Sequence, residues 1–231
     1  MKYKAVIFDL FGTLIDKFSL REHRSVLRQM ANVLSVSSDD FIQLWFDTFD
    51  ERGLGVFQTI EANVEHICER LGVHSEDAQI ELAAKINLDY TARGMRSRPD
   101  AEEVLSYLKT RGYKTGLISN CSTSIPEILK DMPFATLIDE AVFSSLVGLQ
   151  KPDPRIYQIA TDRLGVEPRE CLYVGDGDSQ ELSGAAEVGM HPVLICDLDE
   201  DSTDVHRVDA EAKQWNGPVI SSLREILTSL G

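Results

Sequence analysis

Apolar and polar positions along the chain follow two rhythms. Short unbroken apolar runs at Tyr3 to Phe8, Thr115 to Ile118, Cys171 to Val174 and Pro192 to Cys196 have the length and composition of buried strands. Each stops abruptly, at Asp9, at Ser119-Asn120, at Gly175-Asp176 and at Asp197. At Ala101 to Thr110, Ile125 to Lys130, Pro154 to Leu164 and Ser179 to Val188 the apolar residues instead recur every three or four positions, the period of a helix with one buried face. Strands alternating with helices predict an α/β fold, a parallel sheet covered by helices on both faces. Ligands of such sheets sit beyond the carboxyl ends of the strands, so the residues that close each run are the ones to inspect for chemistry.

The alternation breaks between about 17 and 98, where four consecutive helical stretches follow one another with no convincing strand. They run near Leu20 to Val33, Ser38 to Glu51, Thr59 to Leu71 and Ser75 to Ala92, with Ser38 and Ser75 as expected N-caps and Gly53 and Gly72 as expected stops. The expected division is therefore a core of residues 1–16 and 99–231 with a helical insertion at 17–98. No internal repeat or low-complexity segment is visible, and the acidic stretch Asp197 to Asp209 reads as a solvated loop.

Charge narrows the range of partners. A formal net charge of -15 argues against nucleic acid and anionic membranes, which recruit Lys- and Arg-rich surfaces. Any phosphate the protein handles must then be met by a local device. The four cysteines, Cys68, Cys121, Cys171 and Cys196, share no close metal-type spacing and read as reduced thiols. The start, Met1 through Lys4 into a short apolar run interrupted by Asp9, matches neither a signal peptide nor a membrane span, and residence in the cytoplasm is the expectation.

Four motifs are expected at four strand ends: Phe8-Asp9-Leu10-Phe11-Gly12-Thr13-Leu14, Leu117-Ile118-Ser119-Asn120, Lys151-Pro152-Asp153-Pro154 and Val174-Gly175-Asp176-Gly177-Asp178. In this order and spacing they resemble the haloacid dehalogenase-like hydrolase superfamily, over nearly the whole chain. The resemblance implies a Rossmann-like parallel sheet core, with the helical insertion as a small mobile cap domain. It makes Asp9 the nucleophile and puts Asp9 and Asp176 on neighbouring strands, whose backbones lie ~5 Å apart. Two carboxylates so close share a proton or bind a cation, and oxygen ligation with hydration suits Mg²⁺. The family's further metal ligand is the main-chain carbonyl two residues after the nucleophile, here Phe11. Glu181 stands at the later acidic position, as a ligand through water or as an acceptor behind the ligands. Asp178 reads equally as a member of the site or as a surface acid.

The same resemblance makes Lys151 the cation that neutralises the phosphoryl group and Asp9. Ser119 and backbone amides near Asn120 and Gly12 hold the phosphoryl oxygens, and Thr13 is either a further hydrogen-bonding residue or a turn residue. The implied activity is a Mg²⁺-dependent phosphatase of a small metabolite or activated ester, working through an aspartyl phosphate. One departure matters. The family's phosphatases carry a second aspartate two residues after the nucleophile as general acid and base, and here that residue is Phe11. Loss of such a group costs ~10² to 10⁴ in rate, so aryl or acyl phosphates, whose leaving groups need no proton, suffer least. His23, His66 and Glu51 are the substitutes available in the insertion.

Phe11 also keeps 2-haloacid dehalogenation open, since those relatives carry an aromatic residue there. They lack the Gly-Asp metal motif, however, and place an arginine in the early cap, where this chain reads Ser38-Asp39-Asp40-Phe41. A phosphonate-cleaving relative also lacks the second aspartate, but its cap lysine has no assignable counterpart here. A catalytically weak phosphate- or metabolite-binding protein is the remaining alternative. Specificity is expected from the insertion, around Trp45, Phe49, Arg52 and Phe57. The aromatics there have the spacing of core residues, and Arg52, beside Gly53 and Gly55, is the candidate for an anionic substrate.

Overall fold

The computed structural model describes residues 3–196 and 210–230, so the acidic stretch Asp197 to Asp209 and the first two residues lie outside the described part. Six strands form one sheet: β1 (Ala5–Phe8), β2 (Lys114–Ser119), β3 (Glu140–Phe143), β4 (Cys171–Gly175), β5 (His191–Ile195) and β6 (Val219–Ile220). All neighbours run parallel, in the order β3-β2-β1-β4-β5-β6. The central strands are buried on both faces, which is why they read as unbroken apolar runs rather than alternating ones. In β1, Val6 and Phe8 point into one helical layer with Val104, Leu105 and Leu108, while Ala5 and Ile7 point into the other with Ile156, Ala160 and Leu182.

Strand order reverses direction at β1, with β2 and β3 on one side and β4 to β6 on the other. Such a switch point opens a crevice beyond the carboxyl ends of the two strands that flank it. Register sets Phe8 opposite Val174 on β4 and opposite Leu117 on β2. Asp9, Ser119 and Asp176 accordingly leave the sheet side by side.

Helices α1 (Leu20–Val33), α2 (Ser38–Asp47), α3 (Phe49–Gly53), α4 (Ile60–Leu71) and α5 (Asp77–Gly94) occupy the stretch between β1 and β2. Their apolar faces, including Leu27, Met30, Phe41, Val64 and Ile67, form a cluster of their own. The remaining helices, α6 (Ala101–Thr110), α7 (Ile125–Leu129), α8 (Ser144–Val147), α9 (Pro154–Leu164), α10 (Glu181–Glu187), α11 (Ala210–Gln214) and α12 (Ile226–Ser229), accompany the sheet. No helix among the described residues is long and apolar enough to cross a membrane.

The structure corrects several expectations. The stretch Ser38 to Glu51 is two helices, because the buried Thr48 hydroxyl turns back to donate to the carbonyls of Leu44 and Trp45, ending α2 and starting α3. The N-cap of α2 is Ser37, whose hydroxyl accepts from Asp40 N, and α5 starts with a reciprocal Glu76–Gln79 cap instead of Ser75. Ser75 is buried against Cys68 Sγ. Gly72 does end α4, with φ of 69°. Gly53 is the last residue of α3 rather than its cap. The helix expected from Ser179 starts only at Glu181, since Ser179 and Gln180 take left-handed φ of 59° and 53°.

Candidate active site

The nucleophile loop follows β1 as a tight turn. Asp9 N donates to Val174 O at 2.9 Å, tying the loop to β4, and Ile15 N and Gly12 N close it through Leu10 O and Ile15 O. Gly12 has φ of 80°, and a Cβ there would run into the Asp176 carboxylate, so this position requires glycine twice over. Arg98, just after the insertion, donates from Nη2 to Gly12 O at 2.8 Å and braces the turn.

Beneath the loop lies a buried charge cluster. Lys151 Nζ donates to Asp9 Oδ1 at 2.5 Å and to Glu181 Oε2, and lies 3.3 Å from the Tyr173 hydroxyl. Glu181 is fully enclosed. Its Oε2 also accepts from Tyr173 at 2.7 Å and its Oε1 from Gly177 N at 3.0 Å. A side chain at Gly175 would collide with this carboxylate, which explains the glycine before Asp176. The left-handed pair Ser179 and Gln180 winds the loop so that α10 begins with Glu181 facing Lys151. Asn120 fixes Lys151 from the main-chain side, accepting from Lys151 N at 2.8 Å and donating to Lys151 O at 3.2 Å.

Burial and, secondarily, the Asp176 charge raise Asp9 to about 6, against the opposing pull of Lys151. Burial alone would lower Lys151, but the Asp9 and Glu181 carboxylates outweigh it and hold the ammonium firmly protonated. Burial pushes Tyr173 well above its usual value, so its hydroxyl stays a donor to Glu181.

Asp9, Asp176 and Glu181 can each offer a carboxylate oxygen within 4.8 Å of the others. The donors suit a hard cation. The Phe11 carbonyl has no hydrogen-bond partner among the described residues, whereas both Glu181 oxygens are already engaged. Asp9, Asp176 and the Phe11 carbonyl therefore fit direct ligation better than Glu181 does. Lys17 Nζ sits 3.0 Å from Asp176 Oδ2 and would share that oxygen with a cation. Two buried hydroxyls at this sheet edge, Thr13 Oγ1 and Ser119 Oγ, have no oxygen or nitrogen partner among the described residues, Ser119 having only the Cys121 thiol beside it, an unmet capacity that a bound oxyanion would satisfy.

A cavity of about 270 Å³ lies between this edge and the insertion. Phe11, Asn120, Asp176 and Asp178 line it from the core, and Asp9 and Lys151, each 5% exposed, sit next to them. From the insertion come Phe18, Trp45, Phe46, Arg52 and Tyr90. Arg52 Nη1 donates to Trp45 O at 2.7 Å, Thr48 Oγ1 at 2.6 Å and Asn63 Oδ1 at 3.0 Å, with the guanidinium 4.4 Å from the Trp45 ring centroid. Trp45 thus serves the insertion's core and the cavity wall at once. His23 also lines the cavity, while His66 packs against Phe57 and Glu51 is exposed. Gly53 and Gly55 lie where the insertion meets the core, and a Cβ at Gly55 would strike the Ser145 backbone. Close approach accounts for that glycine.

Sequence reasoning missed Lys17, Arg98, Tyr157 and Tyr173. Tyr173 lies on the β4 face that it shares with Ile7 of β1, a position that only the pairing of β1 with β4 reveals, and Tyr157, on α9, donates to Glu181 O at 2.9 Å. Lys17 and Arg98 flank the insertion, and nothing in their neighbours marks them.

A family model described as haloacid dehalogenase-like hydrolase matches residues 3–189. (S)-2-haloacid dehalogenase 4A of Burkholderia cepacia is 29% identical over 202 residues, covering 83% of this chain and 82% of that protein. Glyceraldehyde 3-phosphate phosphatase of Methanothermobacter thermautotrophicus is 27% identical over 233 residues, covering 97% and 99%. Among solved structures, a phosphatase from Thermococcus onnurineus superposes with a TM-score of 0.67 at 23% identity, over 99% of this chain and 98% of that one.

Proposed function

This chain belongs to the haloacid dehalogenase-like hydrolases, and within that family we propose that it is a phosphatase of small phosphate esters, with Asp9 as the nucleophile. The observation that carries the reading is the buried pairing of Asp9 with Lys151 beside Asp176 and two unsatisfied hydroxyls, Thr13 and Ser119. A phosphoryl group would meet a cation and open hydrogen-bond donors there without any basic surface. Relatives named as glyceraldehyde 3-phosphate phosphatases support it.

In this mechanism an Asp9 oxygen attacks phosphorus while the bond to the ester oxygen breaks, its electron pair leaving with that oxygen. Water then attacks phosphorus and the bond to Asp9 breaks, its electron pair returning to the Asp9 carboxylate while the water's protons leave on the released dihydrogen phosphate. Lys151 offsets the charge on the phosphoryl oxygens, held in place by Glu181, Tyr173 and the Asn120 clamp on its backbone. Ser119, Thr13 and the loop amides orient those oxygens. Bound at Asp9, Asp176 and the Phe11 carbonyl, Mg²⁺ would supply further positive charge. Phe11 offers no proton to the departing oxygen, so esters of acidic alcohols are the favoured substrates.

The test is hydrolysis of p-nitrophenyl phosphate by the wild-type chain and by Asp9→Asn. Activity should fall below detection in the variant, and turnover that survives the substitution rejects Asp9 as nucleophile.

A second reading has its own support. Displacement of a halide by Asp9 needs no proton donor, and Phe11 suits that. Arg52 supplies to the cavity the cation that residues 38–41 lack, and a 2-haloacid dehalogenase is among the relatives. The Gly175-Asp176 pair and the oxygen donors around it favour the phosphatase.

A further inference from the structure

We infer that the molecule accepted by the cavity is built on a single aromatic ring bearing a carboxylate, and that Arg52 recognises that carboxylate. The inference rests on the proposed phosphatase reading for the reacting end of the molecule only.

Ring contacts run without a break along the cavity wall. Phe11 meets Phe18 at 5.6 Å between centroids, Phe18 meets Tyr90 at 5.5 Å, and Tyr90 stacks on His23 at 5.4 Å and 15°. Trp45 and Phe46 stand edge-on to His23. Asn87, Thr91, Asn120 and Gln150 line other parts of the cavity, but along the ring wall itself a polyhydroxylated body would leave hydroxyls unpaired, at a cost of roughly 1 to 3 kcal/mol each. A flat apolar ring gains from it by stacking and edge contacts. At about 270 Å³ the space suits one substituted ring.

Arg52 supplies the second half of the argument. It is 8% exposed, lines the cavity and forms no ion pair among the described residues. Its three hydrogen bonds all leave from Nη1, which keeps Nε and Nη2 without partners among the described residues. Those two nitrogens form the side-on fork that matches the two oxygens of a carboxylate. A buried cation whose hydrogen-bond acceptors are all neutral and which packs on two aromatic faces, with only the exposed Glu51 carboxylate acting on it through space, is costly to maintain, and an incoming carboxylate reduces that cost. Burial lowers Arg52 to about 10, and the Glu51 carboxylate opposes that only in part.

The leaving group follows from the same chemistry. Two rings, Phe18 and Tyr90, stand between His23 and Phe11, and Phe11, two residues after the proposed nucleophile, cannot protonate a departing oxygen. A phenolate leaves without that help, and an aryl ester is what the rings accept.

Calorimetric titration of the full chain with 4-hydroxybenzoate, phenol and 4-hydroxycyclohexanecarboxylate tests the cavity independently of catalysis. The expected result is that 4-hydroxybenzoate binds at least tenfold tighter than either of the others. Equal affinity for phenol overturns the role of Arg52, and equal affinity for the saturated acid overturns the aromatic requirement. Both comparisons need only the wild-type protein, so a folding defect in Arg52→Met cannot obscure them. Where Arg52→Met does fold, the advantage over phenol should vanish, while Arg52→Lys should retain part of it; an undiminished advantage in Arg52→Met contradicts the inference. In parallel, 4-carboxyphenyl phosphate should be hydrolysed with higher kcat/KM than phenyl phosphate or glyceraldehyde 3-phosphate. Tight 4-hydroxybenzoate binding with no phosphate released from any ester would reject the phosphatase reading and leave the cavity inference standing. Hydrolysis with glyceraldehyde 3-phosphate preferred would do the reverse.

Discussion

Asp9 is pulled in two directions, upward by burial and by Asp176, downward by Lys151, and comes to rest at about 6. As nucleophile it must be ionised, so kcat/KM should be constant above that value and fall toward tenfold per pH unit below it as the carboxylate takes up a proton. A bound cation favours the carboxylate and would move the limb lower still. A pH profile on p-nitrophenyl phosphate is therefore expected to bend at or below pH 6, and a bend above pH 7 would contradict the assignment. Phe11 permits a converse experiment. Phe11→Asp should raise turnover on alkyl phosphates by about 10² to 10³, within the range a positioned acid contributes. No gain in a folded variant would mean that the proton comes from another group. Asp9, Ser119, Lys151 and Asp176 could be singled out in the sequence because each follows a buried run or stands in a motif. The partners that hold them could not. Glu181 was visible as an acid, but its enclosure by Lys151, Tyr173 and Gly177 depends on a loop wound through two left-handed residues, which no local pattern announces.

Strands and helices with strong periodicity were legible, and short or interrupted ones were not. Helices α1 and α6 have the bounds that the apolar spacing predicts, whereas β3 is a half-buried edge strand and β6 has two residues, too short to leave a pattern. The division of the second helical stretch at Thr48 was hidden because it depends on one side chain's backbone hydrogen bonds. Thr48 also accepts from Arg52 and from Asn63, so the break positions the guanidinium that faces the cavity. The helices of the insertion share an apolar cluster in which Leu27 is fully buried, remote from Asp9 in the charge cluster. Leu27→Ala should cost about 2 to 5 kcal/mol. Urea unfolding would measure it, and a loss under about 1 kcal/mol would show that this core packs too loosely to hold the cavity wall.

Parallel alternation of strands and helices was enough to predict the sheet, but only its observed order brings Asp9 and Asp176 together at the switch point between β1 and β4. The insertion brings rings and one buried arginine to face that edge across the cavity, a relation between segments far apart in the chain that spacing cannot express. The net charge of -15 acquires a consequence here, since an anionic substrate approaching an acidic protein depends on the local cations Lys17, Lys151 and Arg52. Whether those cations serve phosphoryl transfer or halide displacement is decided by assaying phosphate release from p-nitrophenyl phosphate and chloride release from 2-chloropropionate, each with Mg²⁺ and with EDTA. The account predicts phosphate release that requires Mg²⁺ and no chloride release; chloride released in EDTA, with no phosphate under either condition, would contradict it.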